Sequence, residues 1–263
     1  MTITYVTITW QAAKVLQRTL DSVLEQDYPE ITHLIIDGAS TDGTLDMINN
    51  YIERSNAADC GHKVLLMSEP DNGIYDAMNK GLRSLTGDYV CFLNAGDFLP
   101  SSDTVSRIVS AGVRSQESGV GSQLPAVLYG DTDIVDGEGR FLHHRRLAPP
   151  EHLTWKSFRQ GMLVCHQAFY ARTDFAIATP YDQQYRYSAD VDWCIRILKA
   201  AARENVPLLN LHMVVVNYTE EGQTTLHHRE SLWERYRVME HHYGRIQTFF
   251  LHVWFVIRTF IKK

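Results

Sequence analysis

Two acidic residues that follow short apolar runs are the first candidates for chemistry in this chain. Asp37 ends one such run, and Asp97 closes the segment Asn94–Asp97 directly after another. A short apolar run of this kind is typical of a buried parallel strand, which would deliver the carboxylate to a loop. Ligands of open α/β sheets bind beyond the carboxyl ends of the strands. Both carboxylates are therefore predicted to border one site.

The chemistry these carboxylates could perform is the binding of a nucleotide and a divalent cation. A carboxylate at a strand end can accept hydrogen bonds from a nucleobase or a ribose hydroxyl, and the small residues after Asp37 would let a ligand approach the backbone. Asp97 could bind Mg²⁺ or Mn²⁺ together with phosphate oxygens, with Asn94 or water adding a neutral oxygen. The alternative for Asp97 is a structural role, capping a helix near Ser102. Asp42 is interpreted as a helix cap.

The elements that must position these residues alternate regularly over the first hundred residues. Apolar runs predict four strands, and amphipathic spacing predicts three helices between them. The βαβαβαβ order predicts an α/β fold with a doubly wound, mostly parallel sheet and right-handed connections. The predicted strands are 2–9, 33–37, 63–68 and 88–93, and the predicted helices are 12–25, one that follows Gly43, and 74–84.

The second half of the chain is predicted to be more mixed. Residues 115–125 are rich in Ser, Gly and Gln, which predicts a surface loop. His166, within Cys165–Gln167, is interpreted as a structural residue, with the lining of a ligand pocket in the second half as the alternative. The charged segments His143–Arg146 and His227–Arg229 are interpreted as solvated. The predicted elements are two strands joined by a turn at 136–139, a strand at 166–171, a helix at 189–202, a strand at 208–218 and helical sequence from about 220.

Composition is that of an ordinary folded protein. Of 263 residues, 44% are hydrophobic and 21% are charged, and the formal net charge of −6 argues against nucleic acid as a partner. The four cysteines include no Cys-x-x-Cys pair, so reduced thiols in the cytoplasm are expected rather than disulfides or a zinc site. The first residues lack the pattern of a signal peptide, and no run reaches the ~18 apolar residues of a membrane span.

The C-terminal segment has a different character. Residues 249–263 combine aromatic and aliphatic side chains with a final pair of lysines. One interpretation is an amphipathic helix that lies in a membrane interface, which predicts peripheral contact with the inner face of the plasma membrane. The other interpretation is a last helix packed on the core.

Four segments in the first hundred residues occur in an informative order. They are Thr9–Pro29, IIDGASTDGT at 35–44, SEPDNGIYDAMNKGL at 68–82 and GDYVCFLNAGD at 87–97. Together they resemble a family 2 glycosyltransferase of the bacterial surface-polysaccharide kind, closely to about residue 100 and loosely to about residue 200. The resemblance implies a glycosyltransferase A-type fold that transfers a sugar, with inversion, from a nucleoside-diphosphate donor to a hydroxyl group.

The resemblance also implies a donor pocket. Thr9 and Trp10 would flank the nucleobase, and Asp37 would form a hydrogen bond with it. Asp71 lies where a donor-contacting Asn is common, and Asp76 is a weaker candidate for the same pocket.

The metal site is where the chain departs from the family. Asp97 matches the last Asp of the metal-binding region, which implies Mn²⁺ or Mg²⁺ as cofactor. Asn94 and Gly96 stand where acidic residues are usual, and Met78 replaces a frequent donor-site Arg. Fewer charges near the diphosphate should weaken the affinity of the protein for a metal ion. A metal ion could still bind together with the donor, because the donor phosphates would supply ligands.

The second half must supply a base, and Asp190 matches the catalytic Asp of the family's Glu-Asp motif, with Ala189 in place of the Glu. A carboxylate there could remove the proton of the acceptor hydroxyl, and burial or a nearby like charge would raise its pKa. Asp192 should face another direction, since residues two apart on a helix do not share a face. The alternative is that both acids only stabilise the positive end of the helix dipole.

The resemblance implies an inverting hexosyltransferase that uses a UDP-linked sugar, and together with the C-terminal segment it implies a glycan or lipid-linked acceptor. The alternative is a catalytically weak scaffold subunit of a polysaccharide-assembly complex, which the departures at Asn94 and Gly96 motivate. A sugar nucleotidyltransferase is disfavoured because no Gly-rich, basic loop follows the first strand. One glycosyltransferase domain is predicted at 1–225, with a nucleotide-sugar half at 1–100, an acceptor half at 101–225 and a helical tail at 226–263.

Overall fold

One mixed sheet flanked by helices forms the centre of the protein. The computed structural model describes residues 1–117, 123–220 and 228–261. The strands are β1 (Ile3–Thr9), β2 (Ile31–Asp37), β3 (Lys63–Ser68), β4 (Tyr89–Phe92), β5 (Val127–Val135), β6 (Phe141–His144), β7 (Phe169–Arg172) and β8 (Leu208–Thr219). The helices are α1 (Leu16–Leu24), α2 (Thr44–Ala58), α3 (Ile74–Arg83), α4 (Thr104–Glu117), α5 (Thr173–Ala178), α6 (Ala189–Glu204), α7 (His228–Tyr243) and α8 (Arg245–Ile261).

The parallel half of the sheet confirms the predicted alternation. Its strands lie in the order β3-β2-β1-β4, and each neighbouring pair is parallel. The register pairs Thr9 with Asp37 and Asp37 with Ser68. The carboxyl ends of β1, β2 and β3 are therefore level, and the side chains that follow them meet at one edge.

The second half adds strands of mixed direction. β7 pairs antiparallel with both β4 and β5, β6 pairs antiparallel with β5, and β8 runs parallel to β5. Two short 3₁₀ helices, Trp155–Gln160 and His166–Ala168, lie in the long connection between β6 and β7. The second of them leads directly into β7, so its side chains lie close to the end of β4.

Burial explains why the apolar runs form central strands. Every residue of β2 is buried, as expected for a parallel strand that helices cover on both faces. On one face, Leu16 and Leu20 of α1 pack with Ile48 and Tyr51 of α2 over Ile35. A larger core includes side chains from α3, α4, α6 and α7. β3 is only half-buried because, in the described part of the chain, it is the edge strand of the sheet.

Some predicted boundaries differ from the structure. α1 begins at Leu16 rather than at residue 12, because residues 12–15 form a turn in which the Val15 and Leu16 amides bond to the Ala12 carbonyl. The loop predicted from residue 115 begins later, since α4 continues to Glu117, and residues 118–122 lie outside the described part of the chain. Of the segment His227–Arg229, His227 lies outside the described residues, and the other two residues begin α7.

The C-terminal helical sequence forms two helices. α7 and α8 are separated by Gly244, whose φ of 85° is readily adopted only by glycine. Val238, Met239 and Tyr243 of α7 belong to the main core, so this helix packs against the rest of the protein. Within the described residues, no helix has the length and apolarity that a membrane crossing requires.

Candidate active site

Asp37 organises the loop that follows β2. Its carboxylate is fully buried and accepts hydrogen bonds from Thr9 Oγ1 (2.9 Å), Ser68 Oγ (2.9 Å), Ser40 N (2.9 Å) and Ser40 Oγ (2.6 Å). These donors come from the ends of three adjacent strands and from the loop itself. Both oxygens are thus engaged within the protein, and Asp37 fixes the shape of the edge at which Thr9 ends β1.

Trp10 and Asp71 approach each other across Gly38. A Cβ at Gly38 would lie 2.6 Å from Asp71 Oδ2 and 3.3 Å from Trp10 Cδ1, so only glycine fits without movement. The Trp10 side chain is 68% exposed, which leaves its ring available to a ligand. Asp71 is held from the other side by the amide of Gly73 (2.8 Å). The structure therefore brings together Thr9, Trp10, Asp37 and Asp71 at one edge.

Asp76 lies in the first turn of α3, close to the loop that carries Asp71. Its Oδ2 accepts hydrogen bonds from the amide and side chain of Asn72, at 3.0 and 3.3 Å, and its Oδ1 accepts one from Gln183 Nε2 at 3.2 Å. The hydrogen bond from the Asn72 amide is the main reason that the pKa of Asp76 is lowered. The residue thus connects the loop between β3 and α3, which carries Asp71, with the segment that precedes α6.

Asp97 is enclosed after the end of β4. Its Oδ1 accepts a hydrogen bond from the amide of Thr219 (3.0 Å), and its Oδ2 accepts one from Gln167 Nε2 (2.8 Å). Only 5% of the residue is exposed, and burial raises its pKa to about 7. Asp97 therefore joins the end of β4 to the end of β8 and to the 3₁₀ helix before β7.

The residues around Asp97 do not fit a cation that the protein alone would hold. Asn94 offers one neutral oxygen, Gly96 has no side chain, and both oxygens of Asp97 already accept hydrogen bonds. In the described ranges, no group of three or more His, Cys, Asp or Glu is arranged for metal binding. Mg²⁺ is usually bound through one or two carboxylates together with phosphate oxygens of the substrate. Here one carboxylate is present, and it already accepts hydrogen bonds from Gln167 and Thr219.

Asp190 is the second residue of α6, and its carboxylate lies between α3 and the 3₁₀ helix at His166–Ala168. Tyr75, on α3, donates a hydrogen bond to its Oδ1 at 3.2 Å, and His166 Nδ1 lies 3.6 Å from its Oδ2. The Asp190 side chain is 17% exposed. Burial and the nearby carboxylate raise the pKa of Tyr75 well above its usual value, so its hydroxyl remains a donor.

Aromatic stacking fixes the position of Asp190 further. Tyr75 stacks on Tyr181 with ring centroids 5.5 Å apart, and Tyr181 stacks on Trp193 at 4.9 Å. Trp193 belongs to the same helix as Asp190 and is fully buried. The start of α6 is therefore connected to α3, the helix that follows the loop of Asp71, through Tyr181 and through the hydrogen bond from Tyr75.

Asp192 has different surroundings, as its position two residues along the helix predicts. Its oxygens pair with Arg196 Nε at 2.6 Å and His242 Nε2 at 2.8 Å, and its side chain is 3% exposed. Burial opposes ionisation, but the hydrogen bond to His242 and the charge of Arg196 dominate and lower the pKa of Asp192. Asp192 therefore joins α6 to α7, whereas Asp190 contacts Tyr75 and His166.

The site contains residues to which sequence reasoning gave little or no weight. Tyr75, Gln167 and Thr219 contact the two candidate carboxylates, yet only Tyr75 lies in one of the four resemblance segments. Gln167 is separated from Asp97 by 70 positions, and Thr219 by 122. The adjacent polar pair His166 and Gln167 in an otherwise apolar stretch was the available signal.

The fold defines a protein of the glycosyltransferase A-type class. The fold is similar to that of S. aureus TarS 1–349 in complex with UDP-GlcNAc, with a TM-score of 0.67 and 18% identity over 91% of this chain. The mannosyltransferase PcManGT from Pyrobaculum calidifontis, in complex with GDP-Man and Mn²⁺, gives a TM-score of 0.57, 17% identity and 89% coverage of this chain. The chain spans 65% and 63% of those two chains, respectively.

Comparison of the sequence with known proteins identifies the family. Residues 4–177 match the family described as "Glycosyl transferase family 2". A "PGL/p-HBAD biosynthesis glycosyltransferase" of Mycobacterium bovis (strain BCG / Pasteur 1173P2) is 32% identical over 216 residues, which cover 81% of this chain and 75% of the relative. The "Amylovoran biosynthesis glycosyltransferase AmsB" of Erwinia amylovora is 28% identical over 215 residues, with 78% and 67% coverage. The chain belongs to glycosyltransferase family 2, and it is a glycosyltransferase.

Proposed function

We propose that this enzyme transfers a sugar, with inversion, from a UDP-linked donor to a hydroxyl group of a glycan or lipid-linked acceptor. The observation that carries the proposal is the position of Asp190. This carboxylate comes from the second half of the chain, yet it lies beside Tyr75, on the helix that follows the loop of Asp71. A base at that place can reach an acceptor hydroxyl next to a donor bound at the sheet edge.

The proposed donor pocket lies between Trp10 and Asp71. The exposed ring of Trp10 offers a flat apolar surface for a nucleobase, and Gly38 leaves the space that a side chain would fill. Asp37 and Thr9 act mainly by fixing the edge of this pocket, because both Asp37 oxygens accept hydrogen bonds within the protein. Asp76 holds the loop that precedes α3. The UDP-GlcNAc complex of TarS, a structural relative, supports a UDP-linked donor.

The proposed reaction is a single displacement. The oxygen of the acceptor hydroxyl attacks the anomeric carbon while the bond from that carbon to the diphosphate oxygen breaks, so the nucleoside diphosphate leaves and the configuration inverts. The carboxylate of Asp190 takes the hydroxyl proton. Tyr75 donates to Oδ1 of Asp190, and the hydroxyl proton goes to Oδ2, which His166 Nδ1 approaches only to 3.6 Å. Asp97 keeps the end of β4 in place beside this site through Gln167 and Thr219.

Mn²⁺ or Mg²⁺ at Asp97 remains a prediction from sequence. Because the residues present do not fit a cation held by the protein alone, we expect either ion without nucleotide to leave the melting temperature unchanged. A cation would then depend on the donor phosphates for most of its ligands.

The acceptor side of the proposal rests on the C-terminal helices. α8 exposes Ile246, Phe249, Phe250, Val253 and Trp254, whose spacing places them on one face of the helix. Residues 245–263 include four Lys or Arg and no Asp or Glu. An apolar face with basic neighbours suits the surface of an anionic membrane. We therefore propose that the enzyme acts in the cytoplasm, on the inner face of the plasma membrane, and that it meets a lipid-linked acceptor there.

Thermal unfolding with UDP, GDP, CDP and their sugar conjugates, each with and without Mn²⁺, tests the donor site. A nucleotide at a hundred times its dissociation constant should add about 2.7 kcal/mol to the free energy of unfolding, or roughly 5–10 °C. We expect UDP compounds to give this shift in the wild-type enzyme and in Trp233→Ala, and Trp10→Ala to lose it. Both tryptophans are about equally exposed, at 66% and 68%, so Trp233→Ala is the matched control. If no nucleotide raises the melting temperature, the result would contradict the proposal and favour a scaffold role.

A further inference from the structure

The 3₁₀ turn before β7 connects the two candidate carboxylates. Gln167 Nε2 donates a hydrogen bond to Asp97 at 2.8 Å, while the adjacent His166 places its Nδ1 3.6 Å from Asp190 Oδ2. Both residues of the turn are buried, with 2% and 8% of their surfaces exposed. Two neighbouring side chains thus point to acids that lie 93 positions apart in the sequence.

The environment of His166 determines which nitrogen carries its proton. A lone pair on Nδ1 would face the negative oxygen of Asp190, whereas an N–H at Nδ1 is attracted to it. Asp190 therefore favours the tautomer with hydrogen on Nδ1. The other nitrogen, Nε2, is buried and has no hydrogen-bond partner among the described residues.

An unpartnered buried nitrogen is costly, and it needs an explanation. An apolar side chain of similar size would fill the same space without leaving a polar atom unsatisfied. The benefit of an imidazole at position 166 must then lie at Nδ1, the atom that faces Asp190. Burial also lowers the pKa of His166, although Asp190 opposes this effect, so the ring stays neutral. A neutral donor can orient the carboxylate without the strong stabilisation of its charge that an imidazolium would give.

We infer that His166 is a positioning residue for Asp190: its Nδ1–H and the Tyr75 hydroxyl hold the carboxylate from two sides, while Gln167 fixes the turn to Asp97. This inference rests on the proposed role of Asp190 as the base. The 3₁₀ helix His166–Ala168 would then have a function in the reaction, because it would set the orientation of the Asp190 carboxylate relative to the end of β4.

Steady-state kinetics of two His166 variants test this inference. His166→Leu removes the Nδ1–H and the unsatisfied nitrogen, whereas His166→Asn can place an amide N–H near the former Nδ1. We expect His166→Leu to lower kcat by about 10- to 100-fold, a part of what a general base contributes. Its KM for the donor should stay within about twofold of the wild type, and its melting temperature should not fall. His166→Asn should recover most of kcat.

A double variant separates an effect through Asp190 from any other effect. If His166 acts only through Asp190, then adding His166→Leu to Asp190→Asn should leave the residual kcat unchanged, since residues that act as a unit are not additive. A further fall in kcat would overturn the inference. So would a fully active His166→Leu beside an inactive Asp190→Asn, or a His166→Asn that is no better than His166→Leu. An Asp190→Asn variant with wild-type kcat would instead overturn the assignment of the base.

Discussion

At the scale of single residues, buried polar groups set the conditions under which the protein is stable. His33 of β2 lies inside the sheet and contacts Thr7 Oγ1 at 2.9 Å and the Tyr51 hydroxyl at 2.8 Å. Burial lowers its pKa to about 3. The folded protein therefore holds this ring neutral, while the unfolded chain binds a proton to it below about pH 6.5.

This difference predicts a loss of stability in acid. Because the unfolded state binds more protons, stability should fall as the pH decreases from about 6.5 towards about 3, by about 2 kcal/mol at pH 5 from His33 alone. His33→Gln keeps polar atoms near Thr7 and Tyr51 without titrating, so its stability should depend less on pH. Urea unfolding of both proteins at pH 5 and pH 7.5 measures the difference. Parallel pH profiles for the two proteins would contradict the assignment.

Residue types and strand ends allowed several site residues to be predicted, but not their partners. Asp37 and Asp97 could be placed at one sheet edge because apolar runs ending at acids are a local signal. That all their oxygens would accept hydrogen bonds within the protein could not be predicted, because Ser68, Gln167 and Thr219 come from distant positions. Asp190 was identified by resemblance, and its contact with Tyr75 depends on how α3 packs on α6.

At the scale of elements, α7 supports the start of α6. The Glu234 carboxylate accepts hydrogen bonds from the amides of Arg186 (2.8 Å), Tyr187 (2.6 Å) and Ser188 (3.1 Å), which immediately precede the helix of Asp190. The predicted helical tail thus supplies an acceptor for backbone groups that would otherwise lack one at the amino end of α6.

Removal of this carboxylate should affect both stability and activity. We expect Glu234→Ala to lower the free energy of unfolding by about 2 kcal/mol, since hydrogen bonds to a charged group are lost. The value of kcat should also fall, because Asp190 is two residues beyond Ser188. Glu230→Ala, on the exposed side of the same helix, is the matched control. If both variants unfold at the same urea concentration and retain the same kcat, the supporting role is wrong.

The exposed face of α8 gives a second prediction for an element. We expect the wild-type enzyme to co-sediment with vesicles of phosphatidylcholine and phosphatidylglycerol, and less with phosphatidylcholine alone, because basic residues add attraction to an anionic surface. A variant with Phe249, Phe250 and Trp254 changed to Ser should stay in the supernatant. Changing the exposed pair Phe141 and Leu142 of β6 to Ser is the control and should leave sedimentation unchanged. Unchanged sedimentation of the triple variant would exclude α8 as the membrane contact.

At the scale of the whole molecule, the two halves of the chain differ in how far sequence predicts them. The first hundred residues follow one repeating rule, in which a buried strand is followed by an amphipathic helix, and every predicted element there is present. In the second half most strands and the helices α6 to α8 were predicted, but α5 and the 3₁₀ helices were not, and residues 166–168 form a 3₁₀ helix instead of the start of the predicted strand. The pairing of the strands was not predicted either. β7 lies between β4 and β5 because antiparallel contacts formed across long loops, and such contacts leave no local pattern in the sequence.

For the whole molecule we propose that the two halves meet so that a base from α6 lies beside a donor bound at the edge of β1 and β2. The contacts of Asp190 with Tyr75 and His166, and those of Asp97 with Gln167 and Thr219, are the connections between them. The division of the chain at residue 225 remains a prediction, although Glu234 and His242 of α7 contact the segment before α6 and α6 itself.

The most direct test of this claim is sugar transfer by Asp190→Asn compared with Asp46→Asn. Both substitutions remove one carboxylate from the first turn of a helix, so they share any effect on the helix dipole. We predict that Asp190→Asn binds the UDP-linked donor with the same thermal shift as the wild type but transfers its sugar about 10²- to 10⁴-fold more slowly. Asp46→Asn should transfer at the wild-type rate. Equal rates for the two variants would show that Asp190 is not the base and would contradict the account.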